Sequence, residues 1–120
     1  MPQTQTLSPE MQQCIQNCFD CHRSCAETAS HCLQMGGKHA SADHIRTLLD
    51  CAQMCGVSAD FMLRQSPVHP QVCGVCAETC RQCAESCSRL ADGDSVMQNC
   101  ATLCQRCEQS CESMAMAKAA

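Results

Sequence analysis

The chain has 120 residues, of which 16 are cysteine, and it contains no Trp, no Tyr and only two Phe; this length suits a single domain. Leu, Ile, Val and Phe together number only 16 residues, so the cysteines themselves must form the core if the chain folds. The net charge of −4 with only eight Lys and Arg excludes the basic surface of a nucleic-acid-binding protein, and no apolar run approaches the ~20 residues of a membrane span.

Helix-breaking residues divide the sequence into four segments. A first helix begins after Ser8 and ends before the glycine pair 36–37. A second begins after Ser41, the prolines of segment 66–70 separate it from a third, and segment 92–95 precedes a fourth. The predicted helices are residues 9–35, 42–65, 70–91 and 95–115, in one domain that spans 1–120. Four helices with short connections predict an all-α, antiparallel up-down-up-down four-helix bundle.

The cysteines lie on one face of each predicted helix. Steps of four and three residues alternate along helices 1, 3 and 4, which places the cysteines of each helix within about 60–80° of arc. They are Cys14, Cys18, Cys21, Cys25 and Cys32 on helix 1, Cys51 and Cys55 on helix 2, Cys73, Cys76, Cys80, Cys83 and Cys87 on helix 3, and Cys100, Cys104, Cys107 and Cys111 on helix 4. On helix 2, the same face also carries His44, Leu48, Ser58 and Met62. The predicted bundle therefore has a cysteine-lined core.

Two explanations of these cysteine faces need no metal. Buried free cysteine can act as a small hydrophobic residue, but a core built almost wholly of thiols buries little apolar area. Cysteines one helical turn apart can form disulfides, but such bonds close short loops and constrain the unfolded chain little.

The first residues, Met1 to Leu7, show neither a basic start nor an apolar stretch. This predicts a cytoplasmic protein in a reducing compartment, where dense cysteine indicates metal or redox chemistry.

Charge separates the metals that soft sulfur ligands favour, which are Cu(I), zinc and iron–sulfur clusters. Sixteen buried thiolates carry about −16 charges, and four zinc ions would leave about −8 of them uncompensated. One Cu(I) per thiolate leaves the core neutral, so the sequence predicts many Cu(I) ions per chain. Residues at i and i+4 supply the ~4–5 Å sulfur separation of a two-coordinate ion. The pairs with this spacing are Cys14/Cys18, Cys21/Cys25, Cys51/Cys55, Cys76/Cys80, Cys83/Cys87, Cys100/Cys104 and Cys107/Cys111.

The pattern Cys-x-x-x-Cys-x-x-Cys-x-x-x-Cys recurs on helices 1, 3 and 4 beside a sparser helix 2. In this respect residues 9–115 resemble the bacterial copper storage proteins, and the lack of a signal places the chain nearest their cytosolic branch. The resemblance implies a four-helix bundle, a homotetramer, and many Cu(I) ions held along the core by cysteine thiolates. It also implies that copper enters at one open end. Leu48, Ser58 and Met62 on helix 2 and Thr28 on helix 1 depart from the pattern.

Weaker candidate ligands collect at the two ends of the predicted bundle. One end collects Cys32, Met35, His44, Cys87 and Met97, and the other collects Met11, Cys14, Met62, Cys73, Cys111 and Met114. His44 joins the 16 cysteines in the predicted ligand set, with a plain polar role as the alternative. His22 suits either role, whereas His31, His39 and His69 are expected at the solvated surface. Because the loop 92–94 is acidic and attracts cations, copper is predicted to enter at the end that bears His44 and Met97.

A second apolar stripe follows helices 1 and 2, away from the cysteines. It consists of Ile15, Phe19, Ala26, Leu33, Ile45, Leu49, Ala52, Gly56, Ala59 and Leu63. The small residues Ala52, Gly56 and Ala59 would let another helix approach closely. The stripe therefore favours a homo-oligomer contact over packing within the bundle.

Three functions remain open on the sequence alone. The leading one is a binding protein, and not an enzyme, that stores Cu(I) for sequestration, detoxification or supply to copper enzymes; the sequence identifies no chaperone or client. One alternative is a thiol-based redox or electron-transfer protein, although the strand context of thioredoxin-like proteins is missing. The other is a zinc or general soft-metal buffer, which helical spacing does not exclude.

Overall fold

The computed structural model describes residues 7–117 and contains four α-helices. They are α1 (Pro9–Met35), α2 (Ala42–Leu63), α3 (His69–Leu90) and α4 (Ser95–Ala117), and a 3₁₀ helix at Gly37–Ala40 joins α1 to α2. Each helix packs against its neighbours in the chain, and α1 also packs against α4, which closes the ring. The predicted four-helix bundle is confirmed. The predicted lack of a signal concerns Met1 to Leu7, and residues 1–6 lie outside the described residues.

Local signals set the ends of the helices. The Met11 amide donates to Ser8 Oγ at 3.1 Å, and α1 stops at Gly36, whose φ of +73° lies in the left-handed region that suits glycine. Helix α2 ends at Leu63, earlier than predicted, because Gln65 has a positive φ of +51° that no right-handed helix can continue. Helix α3 begins one position before the predicted start, and α4 continues two positions past its predicted end.

The core of the bundle is formed by sulfur. All 16 cysteines are buried with 0% exposure, and Leu48, Met62 and Met97 fill the space that the thiols leave near the ends of α2 and α4. The cysteine faces that periodicity predicts on each helix are therefore turned toward a shared axis. Within residues 7–117, no helix is both long enough and apolar enough to cross a lipid bilayer.

The second apolar stripe is only partly an outer surface. Ala52 and Ala59 are buried, and His22 Nδ1 lies 3.6 Å from the position that a Cβ at Gly56 would take. These small residues therefore bring α1 and α2 together within one chain, and the prediction that they face another chain is wrong. The stripe residues that do remain exposed are Phe19, Ala26, Leu33, Leu49 and Leu63.

Candidate metal centre

The sulfurs of all four helices meet along the axis of the bundle, and most of the short contacts cross between helices. Cys21 Sγ lies 3.5 Å from Cys104 Sγ, and Cys51 Sγ lies 3.7 Å from Cys80 Sγ. All 16 cysteines are free thiols. The core thus presents a continuous column of sulfur to any ion that enters it.

Contacts within a helix are no shorter than those between helices. The pair Cys21/Cys25 lies at 3.8 Å and the pair Cys107/Cys111 at 3.9 Å, slightly closer than the ~4–5 Å expected for a two-coordinate ion. Cys25, however, also lies 3.7 Å from the sulfurs of both Cys83 and Cys104. A sulfur in this core therefore has partners on several helices, and the i, i+4 pair alone does not describe its surroundings.

The sulfurs form five groups of four, in each of which every sulfur lies within 4.8 Å of the others. From the end that bears His44, called the His44 end, the groups are Cys25, Cys83, Cys100 and Cys104; Cys21, Cys25, Cys51 and Cys104; Cys21, Cys51, Cys55 and Cys80; Cys55, Cys76, Cys80 and Cys107; and Cys18, Cys76, Cys107 and Cys111. Each group shares two cysteines with the next, so twelve different cysteines form one ladder. Among the described residues, the four cysteines outside these groups are Cys14, Cys32, Cys73 and Cys87, near the two ends.

The sharing of cysteines between successive groups distinguishes the candidate metals better than the sulfur–sulfur distances do. With metal–sulfur bonds of ~2.3 Å, two sulfurs stand about 3.8 Å apart on a tetrahedral ion, about 4.0 Å on a trigonal ion and about 4.6 Å on a linear ion. The observed contacts of 3.5–3.9 Å therefore suit either of the first two geometries. A structural zinc site takes four thiolates of its own, whereas successive groups here share two. Ions that accept two or three bridging thiolates fit the shared ladder better.

The thiols of the ladder have no cationic side chain among them to stabilise negative charge. The buried polar residues of the described chain are Ser24, Thr28, His44, Ser58 and Ser86. Burial raises the pKa of the Cys32 thiol to about 11, and the negative charge of Asp94 adds to the effect. The neighbouring sulfurs of Cys100, Cys21 and Cys25 raise the pKa of Cys104 above its ordinary value. Without metal, Cys32 and Cys104 therefore keep their protons.

His44 lies inside the bundle at the end of the ladder, as its place on the cysteine face predicts. Its exposure is 2%, and burial lowers the pKa of its imidazole, which keeps the ring neutral. Its Nε2 lies 3.4 Å from Cys32 Sγ, and its Nδ1 lies 2.6 Å from Ser86 Oγ. His44 is thus the histidine that the structure places against a cysteine thiol.

The other histidines lie outside the ladder. His31, His39 and His69 are half-buried, so the prediction that they lie at the solvated surface is wrong for all three. His31 Nε2 is 2.8 Å from Asp94 Oδ2, His69 Nδ1 donates to the Ser66 carbonyl at 3.0 Å, and His39 Nε2 is buried without a hydrogen-bond partner. His22, which suited two roles, is exposed and bonds through Nδ1 to the Ala52 carbonyl oxygen at 2.7 Å.

The end opposite His44 combines thiols with thioethers. Ser58 Oγ lies 3.4 Å from Cys73 Sγ, and Cys14 Sγ lies 3.7 Å from Cys111 Sγ. A cavity of about 510 Å³ outside them is lined by Met11, Met114, His69, Pro67 and Pro70, among others. Sequence reasoning missed the part that His69 takes in this cavity and the contact of Ser86 with His44, because both depend on how neighbouring helices align.

Comparison with known proteins identifies the family of the chain. A family model described as copper storage protein matches residues 7–116. The chain belongs to the copper storage protein family. The family that the cysteine spacing resembles is therefore confirmed.

Solved structures show that the bundle is shared with other family members. A protein of Nitrosospira multiformis is 46% identical, with a TM-score of 0.84 over 90% of this chain and 96% of that one. The Cu(I)-bound copper storage protein BsCsp3 of Bacillus subtilis is 30% identical, with a TM-score of 0.81 over 88% of this chain and 98% of that one. A cytosolic copper storage protein of Streptomyces lividans, solved with five coppers, is 30% identical, with a TM-score of 0.81 over 89% and 92%.

A sequence relative is known only as an uncharacterized cysteine-rich protein. This protein, YhjQ of Bacillus subtilis, is 33% identical over 65 residues. The match covers 54% of this chain and 60% of the relative's length.

Proposed function

We propose that this copper storage protein holds many Cu(I) ions along its sulfur ladder, for sequestration, detoxification or supply to copper enzymes. The observation that carries this function is the set of five overlapping four-sulfur groups in a fully buried core. Copper-bound relatives with the same bundle support it. One Cu(I) per thiolate balances the charge of the core, which divalent zinc in separate sites does not.

The proposed ligands are the 16 cysteines and His44. Twelve cysteines belong to the ladder, and the other four lie where it ends: Cys32 and Cys87 toward His44, Cys14 and Cys73 toward the opposite end. His44 Nε2 extends the column of donors by one imidazole at 3.4 Å from Cys32 Sγ. Nitrogen is the softer of the non-sulfur donors, so it suits a site between solvent and thiolate.

A binding role is favoured over a catalytic or redox role because the thiols are closed off. Each cysteine has 0% exposure, so a protein disulfide or an organic substrate cannot reach a sulfur without opening the bundle. Residues 1–120 act in this proposal as one metal-storage domain. A cytoplasmic location is supported by the free thiols, which a reducing compartment preserves, and by the relative described as cytosolic.

The partner proposed for the outer surface is another copy of the chain, in a homotetramer. Phe19, Leu33, Leu49 and Leu63 are exposed by 41–57% on α1 and α2, and exposed apolar side chains that cluster on one face indicate an interaction site. Leu33, Ile45 and Leu49 also line a groove of about 490 Å³ where α1 ends and α2 begins. These larger side chains replace Ala52 and Gly56 as the proposed contact.

An anaerobic Cu(I) titration of the reduced protein, followed by metal analysis after gel filtration, tests the storage function. We expect more than about ten Cu(I) per chain, because charge balance requires roughly one ion per thiolate. A parallel titration with zinc should saturate at about three ions, since twelve ladder cysteines provide at most three separate tetrathiolate sites. Saturation with four Cu(I) or fewer would contradict storage.

A further inference from the structure

Ser86 and Cys32 contact opposite nitrogens of the His44 ring. Ser86 Oγ lies 2.6 Å from Nδ1, and Cys32 Sγ lies 3.4 Å from Nε2. The three side chains come from α3, α1 and α2, and their exposures are 6%, 0% and 2%. A hydrogen bond this short and this well shielded from water constrains both the orientation of the ring and the position of its proton.

A neutral imidazole has one N–H, and its position decides whether Nε2 can bind a metal. If Nδ1 carries the proton, it donates to Ser86 Oγ, and the lone pair of Nε2 faces Cys32. If Nε2 carries the proton, the ring directs an N–H at a sulfur, which is a weak acceptor. In the first arrangement the Cys32 thiol donates to Nε2, Ser86 Oγ accepts from Nδ1–H, and the Ser86 hydroxyl hydrogen is free to turn toward the cleft that Ser86 lines.

We propose that Ser86 is a positioning residue that holds His44 in the Nδ1–H tautomer, so that Nε2 and Cys32 Sγ together receive Cu(I) at the His44 end. This inference rests on the proposed storage function. A histidine that binds a metal normally donates its other N–H to an acceptor that fixes the ring, and Ser86 supplies that acceptor here. With bonds of ~2.0 Å to nitrogen and ~2.3 Å to sulfur, a bent site needs about 3.7 Å between the two donors, close to the observed 3.4 Å.

The site communicates with solvent through a cleft between the start of α2 and the end of α3. The cleft has a volume of about 390 Å³, and both His44 and Ser86 line it. Its outer part carries Lys38, Asp43 and Arg89. A Cu(I) ion that binds Cys32 displaces the thiol proton, which leaves through the same cleft to water.

The test compares Ser86→Ala, which removes the acceptor, with Ser86→Thr, which keeps a hydroxyl. Ser24→Ala is the matched control, because Ser24 is a buried helical serine on the opposite side of the bundle. Nitrogen and carbon NMR shifts of the His44 ring in the reduced, copper-free protein identify its tautomer. Stopped-flow uptake of Cu(I) from a weak chelator measures delivery, and an endpoint titration measures total capacity.

We expect the Nδ1–H tautomer in the parent protein and in Ser86→Thr, and a mixture of tautomers in Ser86→Ala. Uptake by Ser86→Ala should slow by about tenfold, the usual effect of removing a partner that orients a metal-binding histidine. The double variant with His44→Ala should be no slower than His44→Ala alone, because Ser86 acts only through His44. Ser24→Ala should match the parent. An Nε2–H tautomer in the parent, or unchanged uptake by Ser86→Ala, would overturn the inference. A capacity of four Cu(I) or fewer in the parent would instead overturn the storage function itself.

Discussion

A proton and a metal ion compete for each thiol of the core. A buried thiolate without a cation nearby is costly, and the pKa of Cys32 is raised to about 11 by burial together with the charge of Asp94. Below that pH the thiol is protonated in the absence of copper. Binding of Cu(I) must therefore release protons, and the release is a direct measure of how many thiols become ligands.

We expect about one proton to be released per Cu(I) bound near neutral pH. The sign follows from the cost of a buried thiolate that has no cation nearby: between pH 6 and pH 8 the free thiols stay protonated, so the apparent affinity for Cu(I) should rise about tenfold per pH unit for each proton displaced. Titration in weakly buffered solution with a pH indicator measures the release, and chelator competition at both pH values measures the affinity. Binding without proton release would mean that the thiols of the free protein are already ionised.

The donors that face the axis were predictable, but their neighbours across the axis were not. A period of 3.6 residues places His44 and every cysteine on the inner face of its own helix, and the structure buries them all. Whether Cys21 contacts Cys104, or Ser86 contacts His44, depends on the axial register between two helices. That register is set by the packing of many side chains, and no periodicity within one helix records it.

At the scale of the helices, the Asp94 carboxylate both caps α4 and links it to α1. Asp94 Oδ1 accepts from the Met97 amide at 2.9 Å, which caps the helix, and Asp94 Oδ2 pairs with His31 Nε2 of α1 at 2.8 Å. The hydrogen bond from the Met97 amide and the contact with His31 lower the pKa of Asp94. The sequence offers Asp94 or Ser95 as the cap and the structure uses Asp94, whereas the link to α1 requires the fold.

Asp94→Ala should lower the free energy of unfolding by about 1 kcal/mol, the usual effect of removing an N-cap. Because the pKa of Asp94 is lowered by folding, its contribution is present above the pKa of the unfolded chain and is lost as the pH falls through the folded pKa. Urea unfolding of the reduced, copper-free protein at pH 7 and at pH 3 measures both effects.

Asp92→Asn is the matched control for that change, because Asp92 has a positive φ of +48° that asparagine tolerates and alanine does not. Asp92 lies in the same loop, but its carboxylate is 79% exposed and reaches Lys38 only at 3.9 Å, so its removal should leave the unfolding midpoint nearly unchanged. Equal midpoints for the two variants at pH 7 would show that the cap contributes nothing.

At the scale of the whole molecule, the interior and the surface differ in the size of their apolar side chains. The interior uses small thiols, and several of the largest aliphatic side chains are on the surface. Leu33, Leu49 and Leu63 are exposed by 57%, 50% and 48%, on the same pair of helices. Their burial in an oligomer would supply apolar contact area that the thiol core lacks.

Leu49→Lys should convert the proposed homotetramer into smaller species while the copper capacity per chain stays the same. A charge at the centre of an apolar contact must be desolvated without a partner, whereas the ladder lies on the other side of the helix. Size-exclusion chromatography with light scattering gives the mass. Val75→Lys, at a position exposed by 53% on α3, is the control. An unchanged mass for Leu49→Lys, or dissociation of both variants, would remove α1 and α2 as the contact face.

The two ends of the ladder differ in the donors that they offer to an arriving ion. The His44 end combines an imidazole with thiols, and its acidic loop is partly neutralised, because Asp92 faces Lys38. Electrostatic attraction at this end is therefore weaker than the loop sequence predicts. The opposite end offers thioethers, and His69 lines the cavity beside Met114.

We still expect copper to enter at the His44 end, because His44 Nε2 contacts a ladder-end thiol directly, whereas His69 lies in the first turn of α3, outside the inner face. The double variant His44→Ala with Met97→Leu should slow Cu(I) uptake, and Met62→Leu with Met114→Leu should slow it much less. Leucine preserves the volume of these buried methionines and removes the sulfur, so packing is a minor variable. Both variants should keep nearly the full capacity, since every cysteine remains. Stopped-flow uptake at equal Cu(I) concentration measures the rates, and a slower second variant would place the entrance at the methionine end.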